Sequence, residues 1–176
     1  MTLEIARGHL EATPSVLRAL TTTLSAEVLS YREAPEHWTV FEVLCHLTDT
    51  EEHNWLPRLR VFFEADDDRR FRPMDRERGR QRYAEWSVDA LLDAFAQRRA
   101  ENLTALDDLR LTSADLERQA QHPQLGVVTA AQLLATWATH DHAHVAQISR
   151  VLVRCHGDAV GPWRAFFSLL RSDGTP

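Results

Sequence analysis

The chain has 176 residues, 44% of them hydrophobic, and 20 Lys and Arg against 26 Asp and Glu give it a net charge of −6 at pH 7. Length and composition suit one globular domain over residues 1–176. The acidic balance argues against nucleic acid as a partner, because the one basic cluster, Arg69 to Arg82, is broken by acids and follows Glu64 and Asp66 to Asp68. No apolar run nears the ~20 residues of a membrane helix, the N-terminus with Glu4 and Arg7 lacks a signal-peptide core, and two cysteines make no disulfide framework, so the expected compartment is the cytoplasm.

Taken in chain order, Thr13 and Pro14 read as the N-cap and first residue of a first helix whose inward face is Val16, Leu17, Leu20 and Leu24. Glu33 to Trp38 is its exit loop. Thr39 and Glu42 form a capping box that opens a second helix from Val40 to about Glu64, kinked or interrupted at Pro57. Cys45 on that helix reads as a small core residue. Asp66 to Arg82, with Pro73 and Gly79, is a break. A third helix follows Ser87, places Leu91, Leu92, Phe95, Leu103 and Leu106 inward, and ends near Leu109. A fourth runs from a second capping box, Thr129 and Gln132, to Val153, with Gly157 just beyond. The long connection between helices two and three predicts a crossover between parallel neighbours, and hence an all-α four-helix bundle.

The fourth helix carries His140-Asp141-His142-Ala143-His144. His140 and His144, four residues apart, share a face and can grip one ion, whereas His142 lies about 200° round and points away. Catalytic sites of this kind usually take a third protein ligand. His46, two turns into the second helix on a face that turns polar beyond it, is the best candidate. His53, about 10 Å further along, is too far for the same ion and is a candidate for the mouth of the site. Three free imidazoles should release a metal below about pH 6.

Trp38 to Arg58, His122 to Gly126 and above all Leu134 to Ile148 resemble the DinB/YfiT-like family of metal-binding helical proteins. The resemblance implies a four-helix bundle of up-down-down-up topology. It also implies a divalent ion held by His46, His140 and His144, with Gln147 following the pair. The family's HPxxG-like stretch corresponds to His122-Pro123-Gln124-Leu125-Gly126, and its closing motif to Gly161-Pro162-Trp163, with Pro162 to Leu170 as a short extra helix. Members are similar to thiol-dependent S-transferases and to a maleylpyruvate isomerase. They imply bacillithiol, mycothiol or glutathione as cosubstrate, and family habit implies a homodimer.

An ion on three neutral imidazoles keeps its full charge and so activates a coordinated water or thiol. The expected occupant is zinc or nickel. The expected activity is metal-dependent transfer involving a low-molecular-weight thiol and a small electrophile; the alternatives are a metal-dependent hydrolase, a non-catalytic metal-binding stress-response protein, and purely structural histidines. Asp49, Glu51 and Gln147 are the candidates for acid–base or supporting roles, and Trp55, Arg58 and Trp137 for pocket residues. The sequence holds no Gly-rich phosphate loop, no C-x-x-C pair and no nucleophile elbow.

Overall fold

Each of the four long helices opens on a hydroxyl side chain that accepts one of the backbone N–H groups its first turn leaves unpaired. The computed structural model describes residues 2–65 and 69–170, so Asp66 to Asp68 lie outside the described residues. Helix α1 spans Leu3–Thr21 behind Thr2, and α2 is a short turn at Ala26–Ser30. Helix α3, Val40–His53, carries the expected capping box: Glu42 N–H donates to Thr39 Oγ1 at 3.2 Å and Thr39 N–H to Glu42 Oε2 at 2.9 Å. Asn54 breaks the run, and α4, Trp55–Val61, continues it with Pro57 in its first turn, where a missing donor costs least. A five-residue helix α5, Arg78–Arg82, interrupts the crossover. Helix α6 is Val88–Asp108 behind Ser87, α7 is a single turn at Ser113–Leu116, and α8 is Ala130–Cys155 behind the Thr129–Gln132 box.

Side-chain pairings fix the topology. Arg7 meets Asp107 and Arg18 meets Asp93, so α1 and α6 are antiparallel. Thr48 reaches the Leu91 carbonyl and Asn102 reaches Glu51, so α3 and α6 are parallel. His46 lies against His144 and Trp55 against Trp137, so α3 and its continuation α4 run antiparallel to α8. The order is up-down-down-up, as the long second connection predicts.

Three elements depart from the sequence expectation. Helix α1 starts at Leu3 rather than at Pro14, which lies inside it; Ala6 and Leu10 extend the inward face and Val16 is exposed. His122 to Gly126 is the turn of a hairpin, with strand β1, Gln119–His122, paired antiparallel to β2, Gly126–Thr129, and Gly126 at φ 76° supplies the left-handed residue. Phe71 N–H donates to the Gln121 carbonyl at 2.9 Å, which ties the crossover to the hairpin. The segment expected as a short closing helix, Pro162 to Leu170, is two 3-10 stretches, Gly161–Phe166 and Ser168–Leu170.

The core has two apolar clusters, one around Leu10, Trp55, Leu103 and Trp137, the other around Leu17, Leu47, Phe95 and Ile148. Between them along each helix lies a polar layer. Arg99, 1% exposed, forms ion pairs with Glu51 and Asp141, both at 2.7 Å, and Nη1 also donates to the Leu10 carbonyl at 2.7 Å.

Candidate metal centre

His46 from α3 and His140 and His144 from α8 meet beside this polar layer. Antiparallel packing brings the middle of α3 opposite the middle of α8, and the i, i+4 spacing stacks the two α8 imidazoles on the facing side. His140 Nε2 lies 3.1 Å from His46 Nε2 and 3.1 Å from His144 Nε2, and ligand nitrogens of the three lie within 4.8 Å of one another. Nitrogens about 2.0–2.1 Å from a tetrahedral ion stand about 3.3 Å apart, so the spacing is close to that of a ligand set.

The donors are in the state a ligand needs. Burial, helped by the charges of His144 and Arg76, lowers His46 to about 3. Burial with the neighbouring imidazoles, Arg99 and Arg76 lowers His140 to about 2. Burial lowers His144 too, against the opposing pull of Gln147 and Asp141. All three are neutral at pH 7. Gln147 Oε1 can only accept, so its 2.8 Å contact puts the His144 proton on Nδ1 and leaves the Nε2 lone pair free. His140 Nδ1 is buried and makes no hydrogen bond among the described residues. Its ring is held by packing instead, T-shaped to Trp55 at 5.0 Å and to His144 at 4.3 Å. Three converging neutral nitrogens, with no acid among them to share a proton, fit a divalent ion.

The three imidazoles open onto a cavity of about 660 Å³ whose wall includes Trp38, Trp55, Arg58, Phe71, Arg76 and Gln147. Trp38 lies 4.8 Å from the His46 ring and stacks on His144 at 6.2 Å. Trp55 and Arg58, the expected pocket residues, line the cavity, and so does Gln147, expected in a supporting role. Trp137 does not line the cavity: it stacks behind Trp55 at 5.7 Å and donates Nε1–H to Glu51 at 2.9 Å. Neither Asp49 nor Glu51 lines it. The Asp49 carboxylate receives two Arg78 nitrogens, at 2.9 and 3.0 Å, and Glu51 is bound by Arg99, Asn102 and Trp137, so the two acids that follow His46 by about a turn are occupied in holding helices together. His53 lies 2.8 Å from an Arg82 nitrogen, also away from the cavity. His142 Nε2 contacts His9 Nδ1 of α1 at 2.7 Å, on the opposite side of α8 from the triad. Burial pushes the Cys45 thiol up to about 12, as suits a core residue.

Sequence reasoning missed Arg99, Trp38 and Arg76. Arg99 was legible in principle, for it stands four residues from both Phe95 and Leu103 on the apolar face of α6. Arg76 was not, since nothing in a broken charged stretch tells which arginine lines the cavity.

The model of the DinB superfamily matches residues 9–148. No curated protein matches the chain. Among solved structures, YfiT from Bacillus subtilis, described as a probable metal-dependent hydrolase with an unusual four-helix bundle topology, superposes with a TM-score of 0.74 at 20% sequence identity, covering 88% of this chain and 87% of its own.

Proposed function

Because the chain belongs to the DinB superfamily, we propose that it is a divalent-metal-dependent enzyme whose His46–His140–His144 centre joins a low-molecular-weight thiol to a small electrophile. The observation that carries this reading is the convergence of three neutral imidazole nitrogens at a cavity large enough for both reactants. When bound there, a divalent ion such as zinc or nickel supplies Lewis acidity toward a thiol or a water at its open position.

The chain's own residues favour the thiol. A thiol with an ordinary pKa of about 8.5 loses its proton readily near neutral pH and needs no dedicated side-chain base. The cavity offers little of that kind among its carboxylates. Its acids are Glu36 and Glu77, both exposed, and Glu77 is paired with Arg80 at 3.0 Å. Trp38 and Trp55 give apolar walls that exclude water around the reacting atoms, and Gln147 orients His144. Bacillithiol, mycothiol and glutathione are the thiols to try. Hydrolysis is the second reading, favoured by the description of YfiT as a probable metal-dependent hydrolase.

Metal-loaded protein mixed with each thiol and monochlorobimane should form the conjugate faster than metal-free protein or His140→Ala. Absence of metal-dependent conjugation with every thiol, together with an unchanged visible spectrum of the cobalt-substituted protein on adding thiol, would remove the transferase reading and leave hydrolysis.

A further inference from the structure

Most charged arginines in this molecule are answered by a carboxylate: Arg7, Arg18, Arg32, Arg78, Arg99 and Arg150 all have one within ion-pair distance. Arg58 has none among the described residues. It is half-buried in the cavity wall, and its guanidinium carbon sits 5.2 Å over the Phe71 ring. The one hydrogen bond it makes among the described residues is a long one, 3.4 Å, to the Arg72 carbonyl. Burial without an acid destabilises its charge and lowers its pKa. A half-buried guanidinium with no carboxylate beside it favours an anion from the cavity.

His122 stands beside it. Its ring meets the same Phe71 edge-on at 6.0 Å and lines the same cavity, and the Arg58 charge is felt at its imidazole. The hairpin turn fixes its tautomer: the backbone N–H groups of Gln124 and Leu125 both donate to Nδ1 at 3.2 Å. With Nδ1 accepting, the proton is on Nε2, which makes His122 a neutral donor. Phe71 thus packs against both the guanidinium fork of Arg58 and the ring of the N–H donor His122. Arg76 lines the cavity too, and its charge reaches all three metal-centre histidines.

We propose that Arg58 and His122 form a carboxylate-binding subsite, so that the small molecule taken up beside the histidine triad carries a carboxylate group. This rests on reading the cavity as a substrate site. A planar fork plus a single neutral donor matches the two oxygens of a carboxylate, whereas a phosphate brings more charge and more oxygens than these groups answer.

The test is calorimetric titration of the metal-free protein with glutarate, which needs neither metal nor turnover. Wild type and Arg60→Gln, a charge-matched change at an exposed site outside the cavity, should bind alike. Arg58→Gln should bind at least tenfold more weakly, Arg58→Lys should retain part of the affinity, and His122→Ala should lose several-fold. Thermal melts identify any variant that has not folded, in which case His122→Ala and Arg58→Lys decide. Glutaramide should not bind. Equal glutarate binding by Arg58→Gln and Arg60→Gln, no glutarate binding by wild type, or tighter binding of inorganic phosphate than of glutarate would each overturn the proposal. If thiol conjugation fails while Arg58-dependent glutarate binding stands, the transferase reading falls alone. If conjugation proceeds and glutarate ignores Arg58, the subsite falls alone.

Discussion

Pro14 has no N–H to give the Leu10 carbonyl, and inside a helix that oxygen would be left buried and unpaired. Arg99, 89 positions away, donates to it at 2.7 Å while binding Glu51 and Asp141. Burial alone would lower the Arg99 pKa, but hydrogen bonds and charge from the two carboxylates outweigh it and hold the value above the ordinary one. One guanidinium therefore satisfies a proline defect in α1 and ties α3 to α8 beside His140. Replacing it by Leu leaves two buried carboxylates uncompensated, at a cost of about 3–5 kcal/mol. Differential scanning should show the melting temperature of Arg99→Leu lowered by roughly 6–20 °C at this chain length; a change within 2 °C would contradict the account. The histidines carry a prediction of their own. Free imidazoles would give up metal near pH 6, but burial holds His46 neutral to about 3 and His140 to about 2, so protons compete far less well for their lone pairs. Dialysed holoprotein should keep its metal at pH 5 as at pH 8, and release near pH 6 would contradict this. The same shift makes the metal-free fold acid-sensitive. Unfolded histidines take protons near 6.5, folded ones much lower, so this stability is complete above about 6.5 and is drawn down as pH falls toward the folded values.

At the level of elements, the cavity wall depends on how α5 seats against α3. Gly79 is the contact: a Cβ there would stand 2.7 Å from the Cys45 carbonyl oxygen and 2.9 Å from Asp49 Cβ, and the first of these is helix backbone that cannot give way. Gly79→Ala must lift α5, loosen the Arg78–Asp49 pair and displace Arg76 and Glu77, which line the cavity. We expect about 1–3 kcal/mol of destabilisation, read as a melting temperature lower by roughly 2–12 °C. Weaker metal retention than wild type should accompany it, and an unchanged melt would show that the contact relaxes freely. Legibility in the sequence followed the strength of local signals. The capped helices α3, α6 and α8 could be read because Thr39–Glu42, Ser87 and Thr129–Gln132 state their starts and the apolar period states their inward faces. The start of α1 could not, because Thr13-Pro14 is a valid opening signature and what overrides it is Arg99, on another helix. The hairpin strands have four residues each, too few for alternation to show, and α5 is Arg-Gly-Arg-Gln-Arg, with no apolar residue to mark a face.

For the whole molecule, the up-down-down-up order makes α1 with α8 and α3 with α6 parallel pairs, and sets α3 antiparallel to α8. That arrangement brings a histidine from the middle of α3 to an i, i+4 pair in the middle of α8. The hairpin, the crossover and α4 then wall the space above them with His122, Phe71 and Arg58. The candidate triad was legible because the spacing of its pair is a property of one helix and its third member sits on another strongly capped one. The roles of the nearby acids were not, because Asp49 and Glu51 are turned by their pairing with Arg78 and Arg99, which only the tertiary structure sets. Metal content is the most direct measurement of the central claim. Wild type, His46→Ala, His140→Ala, His144→Ala and His142→Ala would each be equilibrated with a small excess of zinc, desalted and analysed for bound metal. Wild type and His142→Ala should hold about one ion per chain, since His142 meets His9 on the far side of α8, while each triad variant loses most of it. If His142→Ala strips the metal as fully as His140→Ala, or if the triad variants keep it, the three-histidine centre is wrong.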